Sequence, residues 1–286
     1  MQVNSAVIPA AGAGTRFLPV TKAVPKELLP IGDTPAIQLI IDEAIGAGIE
    51  HVVVISSRSK PAIERYFERD DELIATMRDK GKDDVAERLA RIGRDWRVTI
   101  TYQDNPRGLG HAVGCARAAV GDEPFAVLLP DELMGDSSLL AQMNAVCASS
   151  GGSVVAVKQV PRHEVSAYGV LDPSGPIDDH GVIPVRDLVE KPAIDQAPSE
   201  YILIGRYVLT PDVFDEIDRL VPGAGGELQL TDALRAQAAR SPFHGVLSRI
   251  ERYDTGNPVG FLEAALAFAL RDAEMGPAVR SYIDSL

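Results

Sequence analysis

The sequence predicts an α/β protein built on a Rossmann-like, mostly parallel mixed sheet flanked by helices, and three observations carry that expectation. Short β-branched runs of buried type, such as HVVVIS and FAVLL, alternate with segments of helical spacing through about residue 160. Strands separated by helices form parallel β-α-β units with right-handed crossovers. The first apolar run ends directly in a glycine-rich turn and another ends in a carboxylate, and ligand sites in such sheets lie at the carboxyl ends of strands.

The elements follow in order. Ser5–Pro9 reads as a strand, and Pro35–Ala47 as a helix, with apolar residues at Ile37, Ile40, Ile41, Ala44 and Ile45. His51–Ser56 is a strand, Lys60–Phe67 a short helix, and Asp70–Arg94 a charged, mostly helical insertion. Arg97–Gln103 alternates as a strand, Gly110–Ala119 is helical, and Phe125–Leu129 is a buried strand. Helix Ser137–Ser149 and strand Ser153–Gln159 close the first half. Beyond residue 160 short strands come at Gly169–Leu171, Val185–Glu190 and Ile202–Leu209, with helices at Pro211–Arg219 and Leu228–Arg240. The last helix, Asn257–Leu270, opens on an Asn cap with Pro258 at its first position. No flexible linker intervenes, so residues 1–286 are expected to form one domain, with 1–160 and 161–286 as its halves.

The chain has 286 residues, a net charge of −13 and 45% hydrophobic residues, which excludes global disorder. The acidic balance argues against a generic nucleic-acid binder. Yet the first 26 residues hold Arg16, Lys22 and Lys26 and no acid, a cationic island in an acidic protein. Cys115 and Cys147 have no CxxC spacing and read as reduced, packed thiols, which fits a cytoplasmic protein. No targeting segment is expected, and no stretch reads as a membrane span. The longest uncharged run, Ser137–Val157, is interrupted by Gln142, Asn144 and SSGGS.

The strongest chemical signal is Ala10-Ala11-Gly12-Ala13-Gly14-Thr15-Arg16-Phe17, directly after the first strand. Glycines let backbone N–H groups turn toward an anion, and Arg16 adds a phosphate donor. A dinucleotide fingerprint fits poorly, because its third glycine falls on Phe17 and Pro19 prevents a helix. No GxxxxGK[ST] occurs either. On these residues alone a plain tight turn is an equal reading. The continuation Lys22-Ala23-Val24-Pro25-Lys26-Glu27-Leu28-Leu29-Pro30 adds charge beside the turn.

The arrangement GxGTRxxPxTxxxPKxxLP resembles the signature of the sugar-phosphate nucleotidylyltransferases, and the later segments look like their uridylyltransferase branch. The resemblance spans essentially the whole chain. It implies a fold of nucleotide-diphospho-sugar transferase type with a smaller sugar-binding lobe. It also implies that the glycine loop wraps a triphosphate neutralised by Arg16 and Lys26. Gln103 and Gly108, in QDNPRGLGHA, match a uracil-reading Gln and a Gly against which the base lies; the other reading of Gln103 is a solvated strand end. Asp131 closes the strand FAVLL through Pro130, and by resemblance it holds a catalytic Mg²⁺, with Asp254 in DTGN a weaker metal candidate or an Asx turn. Gly169, Glu190, Lys191 and Gly205 match the sugar site, with Lys191 on the sugar phosphate. The other reading of Glu190-Lys191 is a strand end whose two side chains point to opposite faces. GELQLTD at Gly226–Asp232 falls near the sugar by resemblance, His111 is either a nucleotide contact or part of a helix start, and Glu132 stays unassigned.

The implied reaction joins UTP and α-D-glucose 1-phosphate to give UDP-glucose and pyrophosphate by Mg²⁺-assisted in-line displacement, with no covalent intermediate. Arg16, Lys26, Asp131 and Lys191 are its expected catalytic residues. The alternatives are a thymidylyltransferase using dTTP, a non-catalytic nucleotide-sugar-binding regulator, and a dinucleotide-dependent dehydrogenase, which Phe17 and Pro19 disfavour. The resemblance also implies a homodimer or homotetramer, with no nucleic-acid or membrane partner.

Overall fold

The computed structural model describes residues 2–92, 96–223 and 226–286. In chain order its elements are β1 (Ser5–Pro9), β2 (Pro30–Ile31), β3 (Thr34–Pro35), α1 (Ala36–Gly46), β4 (His51–Ser56), α2 (Pro61–Phe67), α3 (Asp71–Asp79) and α4 (Asp83–Arg91). Then come β5 (Arg97–Tyr102), α5 (Leu109–Gly114), α6 (Arg117–Val120), β6 (Phe125–Leu128), β7 (Glu132–Met134), α7 (Ser138–Ser150) and β8 (Ser153–Gln159). The rest is β9 (Gly169–Pro173), β10 (Val182–Glu190), β11 (Tyr201–Leu209), α8 (Val213–Asp218), α9 (Leu230–Ala238), β12 (Phe243–Leu247), β13 (Arg252–Asp254), α10 (Pro258–Arg271) and α11 (Met275–Asp284).

Nine strands form one continuous sheet in the order β5-β4-β1-β6-β11-β8-β12-β10-β9. The strands β5, β4, β1 and β6 are parallel, and β11 runs antiparallel to both β6 and β8. The central strands β4, β1, β6 and β11 are buried on both faces, which is why they read as near-continuous apolar runs, whereas the edge strand β5 is partly exposed and alternates. Ile8, Val54 and Leu128 face α1, α7 and α10, where they meet Ile37, Ile41, Leu140 and Ala264. Val7, Val53 and Val127 face α5, α8 and α9, where they meet Val113, Phe214 and Leu234. A separate two-stranded ribbon pairs β7 with β13, setting Glu132 opposite Asp254.

Several boundaries differ from the sequence expectation for identifiable reasons. The strand at Ser153–Gln159 does not extend the parallel set, because β11, a fully apolar run apart from Arg206, takes the place beside β6. The insertion at 70–94 divides into α3 and α4 at Gly81, whose φ of 69° suits a helix stop that only glycine adopts easily; its end at Arg94 lies outside the described residues. The helix at Gly110–Ala119 splits into α5 and α6, where Ala116 N–H tightens onto Val113 O. The helix from Leu228 begins instead at Leu230, because Leu228 bonds elsewhere: its N–H donates to Arg107 O and its carbonyl accepts from Gly110 N–H. The helix from Pro211 begins instead at Val213, and β10 starts three residues earlier than expected. The short strand β12, preceded by Pro242 and interrupted by Gly245, carries too weak a pattern to be read from sequence. The Asn257 cap stands: its side chain accepts from Gly260 N–H at 2.9 Å.

Candidate active site

The glycine-rich turn leaves the carboxyl end of β1. Ala10 and Ala11 are buried, and Ala10 N–H donates to Ile55 O at 2.7 Å, so the turn starts from the sheet interior. Gly12 and Ala13 stand exposed beyond it. Thr21 Oγ1 donates to Gly14 O at 2.8 Å and closes the loop back on itself. Of the two lysines that follow, Lys22 is exposed and Lys26 is half-buried.

Lys26 Nζ donates to Asp131 Oδ2 at 2.9 Å, joining the turn after β1 to the turn after β6. Asp254 reaches the same place from β13. The point where a side chain on Gly256 would begin lies 3.0 Å from Asp254 Oδ1, 3.2 Å from Asp131 Oδ2 and 3.3 Å from Arg16 Nη1. Arg16 Nη1 donates to Gly256 O at 3.1 Å, and Thr255 N–H donates to Asp131 O at 2.8 Å. Asp254 Oδ1 also accepts from Gly256 N–H at 2.9 Å, so it forms the Asx turn while standing beside Asp131. Gly12, Gly14, Thr15, Arg16, Lys26 and Asp131 line one cleft of about 500 Å³, with Glu227 on its wall.

Two carboxylates converging on a glycine fit Mg²⁺, which takes one or two protein carboxylates and completes its shell with water and phosphate oxygens. No cluster of three or more acidic, His or Cys ligands occurs among the described residues, so a closed protein-made cage is not the arrangement here. The ammonium of Lys26 already shows that Asp131 favours a cation at this point.

Gln103 is 4% exposed, which overturns the solvated-strand-end reading. Its Nε2 donates to Gly108 O at 3.2 Å and to His111 Nδ1 at 2.9 Å. An amide N–H₂ can only donate, so His111 Nδ1 accepts and is unprotonated. Burial, with a smaller push from Arg107, holds the His111 pKa below its usual value, in keeping with that neutral ring. Gly108 sits at φ 106°, and a side chain there would begin 2.7 Å from Leu228 O. Glycine is therefore required by both backbone and space. The segment Glu227–Leu228 thus crosses directly over this turn, linking it to the phosphate cleft.

On the other side, Glu190 Oε2 accepts from Thr231 Oγ1 at 2.7 Å, and Gly169 opens beside that oxygen. Lys191 does not oppose Glu190 across the strand. It leaves the extended conformation at φ 44°, its N–H donating to Tyr168 O, so its Nζ lies 3.5 Å from Glu190 Oε1. A non-glycine residue in this region is strained, and such strain collects at functional sites. Gly205 packs against Leu129 and the carboxyl of Glu132, which is ion-paired with Arg252. Burial, and then the carboxylates of Glu132, Glu190 and Asp131, push the Tyr207 phenol pKa up, so this one side chain lies within electrostatic reach of both the Asp131 turn and Glu190.

Sequence reasoning missed two buried ion pairs beneath these turns. Lys60 Nζ donates to both Glu27 oxygens, at 2.9 and 3.1 Å, and to Ala10 O at 2.8 Å. Arg206 pairs with Glu43 at 2.6 and 2.7 Å. The second carries a sequence signal, a lone Arg in the apolar run YILIGRYVL; the first carries none.

A family model described as nucleotidyl transferase matches residues 5–270. A UTP–glucose-1-phosphate uridylyltransferase of Bacillus subtilis (strain 168) is 44% identical over 286 residues, covering all of this chain and 96% of that protein. The solved structure of a UTP-bound UGPase from Acinetobacter baumannii superposes with a TM-score of 0.91 at 36% identity, covering 99% of each chain. A UDP-glucose pyrophosphorylase complexed with UDP-glucose gives 0.85 at 38% identity, over 94% of this chain and all of that one.

Proposed function

This chain belongs to the nucleotidyl transferase family, among its UTP–glucose-1-phosphate uridylyltransferases, and from that membership we propose that it transfers the uridylyl group of UTP to α-D-glucose 1-phosphate. UDP-glucose and pyrophosphate are the products. The observation that supports the reading is the 2.9 Å contact of Lys26 with Asp131, which brings a lysine ammonium and an aspartate carboxylate, the groups proposed for phosphate and metal, into one cleft at the strand ends.

In this reading the glycine turn from Ala10 to Thr15 presents its N–H groups to the triphosphate, and Arg16 and Lys26 neutralise it. Gln103 reads the uracil edge and Gly108 admits the base. Gly169, Glu190 and Gly205 receive the hexose, and Lys191 holds the attacking sugar phosphate. Family members in general use a divalent metal. Mg²⁺ held by Asp131, with Asp254 beside it, supplies charge neutralisation at the phosphates when bound. The sugar-phosphate oxygen attacks the α-phosphorus in line and pyrophosphate leaves. Both substrates are polyanions, so the chain's work is alignment and electrostatic stabilisation. The N-terminal half serves the nucleotide and the C-terminal half the sugar.

Among the described residues no helix is long and apolar enough to cross a membrane. The two free cysteines support a reducing, cytoplasmic setting. Val259, Leu262 and Leu266 lie exposed along α10 and support a homodimer or homotetramer, which light scattering tests.

Pyrophosphate release measured with each component omitted in turn tests the reaction. It is expected to need UTP, glucose 1-phosphate and Mg²⁺ together, and to fall when dTTP replaces UTP. Release without the sugar phosphate, or none from folded protein, overturns the reading.

A further inference from the structure

We infer that Arg206, clamped by Glu43, is a positioning residue that sets the Asp131 turn against the Gly205 strand; this rests on the uridylyltransferase reading above. Arg206 is fully buried on β11, and Glu43 reaches it from α1. Its Nε and Nη2 donate to Glu43 Oε1 and Oε2 at 2.7 and 2.6 Å. Its Nη1 donates to Gly205 O at 2.8 Å and to Leu129 O at 3.3 Å, and Nη2 donates to Glu132 O at 2.8 Å. A guanidinium has five N–H groups in a rigid plane, and here each has a partner.

Three of those partners are backbone carbonyls at the proposed site. Leu129 and Glu132 bracket Pro130 and Asp131, so both ends of the metal-binding turn hang on one side chain. Gly205 is the proposed sugar contact, and its carbonyl also accepts from Leu129 N–H at 2.9 Å. The turn between β6 and β7 is therefore tied to β11, a strand contributed from far along the chain. Turning the carbonyls of residues 129 and 132 inward leaves the Asp131 carboxylate to face Lys26 and the cleft.

Stability alone is a weak explanation for such a pair. Buried ion pairs are often replaceable by apolar residues without loss, whereas their geometry is specific. Lysine at 206 would keep the charge but offers three donors from a single point, and it cannot hold both the carboxylate and the three carbonyls. Asp131 would then sample positions away from the metal and the sugar strand. A displacement of about 1 Å at a reacting centre costs on the order of a hundredfold in rate.

The test compares wild type with Arg206→Lys and with Glu43→Asp, which keeps both charges but shortens the clamp. In folded Arg206→Lys protein, kcat is expected to fall about tenfold to a hundredfold and the Mg²⁺ concentration for half-maximal rate to rise. UTP binding measured calorimetrically in EDTA, which reads the glycine turn and Gln103, is expected to stay unchanged. Glu43→Asp shifts the same quantities in the same direction, by less, and carries the comparison if Arg206→Lys does not fold. A purely structural role lowers the melting temperature yet leaves kcat and the Mg²⁺ requirement unmoved well below it, and that result overturns the inference. Wild-type protein that makes no pyrophosphate overturns the uridylyltransferase reading, and this inference with it.

Discussion

Two turns of the cleft rest on buried ion pairs, and the pairs differ in kind. Beneath the glycine turn, Lys60 donates to Glu27 and to one carbonyl, that of Ala10. Beneath the Asp131 turn, Arg206 donates to Glu43 and to three carbonyls. Burial pushes Glu27 up and Lys60 down, so this first pair can relax by moving a proton. Arginine does not deprotonate in proteins, so the second pair has no such escape. The contrast fits the roles proposed for the two turns. A loop proposed to wrap a flexible triphosphate would tolerate adjustment, whereas a carboxylate proposed to align a displacement would not.

The largest expected effect comes from breaking the rigid pair. Glu43→Gln leaves the Arg206 charge buried without a counter-ion and is expected to cost about 3–5 kcal/mol in urea unfolding at any pH near neutral. Lys60→Met is expected to cost less, and its cost to depend on pH. Glu27 then takes up a proton in the folded state, whereas in the unfolded chain it ionises near its ordinary 4.5. Wild-type Glu27 already titrates above 4.5, and losing the Lys60 ammonium raises it further, so the added cost is least in acid, begins above the raised wild-type value and grows by up to about 1.4 kcal/mol per unit until the variant's folded carboxyl ionises. Equal, pH-independent costs for the two variants would erase the distinction.

Next in size is the direct contact. Lys26→Ala is expected to slow pyrophosphate release about a hundredfold, as loss of one electrostatic donor does elsewhere, while folding is retained. A smaller effect belongs to the base-side turn. Protonating His111 turns Nδ1 from acceptor into donor against Gln103 Nε2. Binding of UDP-glucose, whose phosphates do not titrate near neutrality, is expected to be constant at higher pH and to weaken by about fivefold well below 6.5. His111→Asn is expected to remove that acid limb.

The smallest effect lies outside the cleft. Asp136 Oδ1 accepts from Ser138 Oγ, and from Ser138 N–H at 2.8 Å, at the start of α7, and these two hydrogen bonds lower its pKa. Its stabilisation is full above the ordinary 3.8 and is lost as pH falls through the depressed folded value. Asp136→Ala is expected to cost about 0.5 kcal/mol at neutral pH, discounted for exposure, and to leave turnover unchanged.

Much of the cleft was legible along the chain because its residues stand at strand ends. The glycine turn follows β1 directly, and Asp131 follows β6, so strand pattern alone aims both at one edge of the sheet. The supporting pairs were not legible. Glu27 and Lys60 lie 33 residues apart, and Glu43 and Arg206 lie 163 apart. Local periodicity carries no information on such contacts. They depend on strand order, above all on β11 entering between β6 and β8, which alternation of strands and helices did not foretell. The strand-end alternative for Lys191 fails for a related reason: strand alternation assigns it the face opposite Glu190, and the backbone departs from the strand at that residue.

Single-turnover pyrophosphate release by wild type and Asp131→Asn, run side by side with UTP, glucose 1-phosphate and Mg²⁺, tests the joined-turn cleft most directly. Wild type is predicted to react only when all three are present. The variant is predicted to bind UTP in EDTA as wild type does and to react about a hundredfold more slowly. A folded Asp131→Asn protein that turns over at the wild-type rate would contradict the assignment of this cleft as the place where the uridylyl group is transferred.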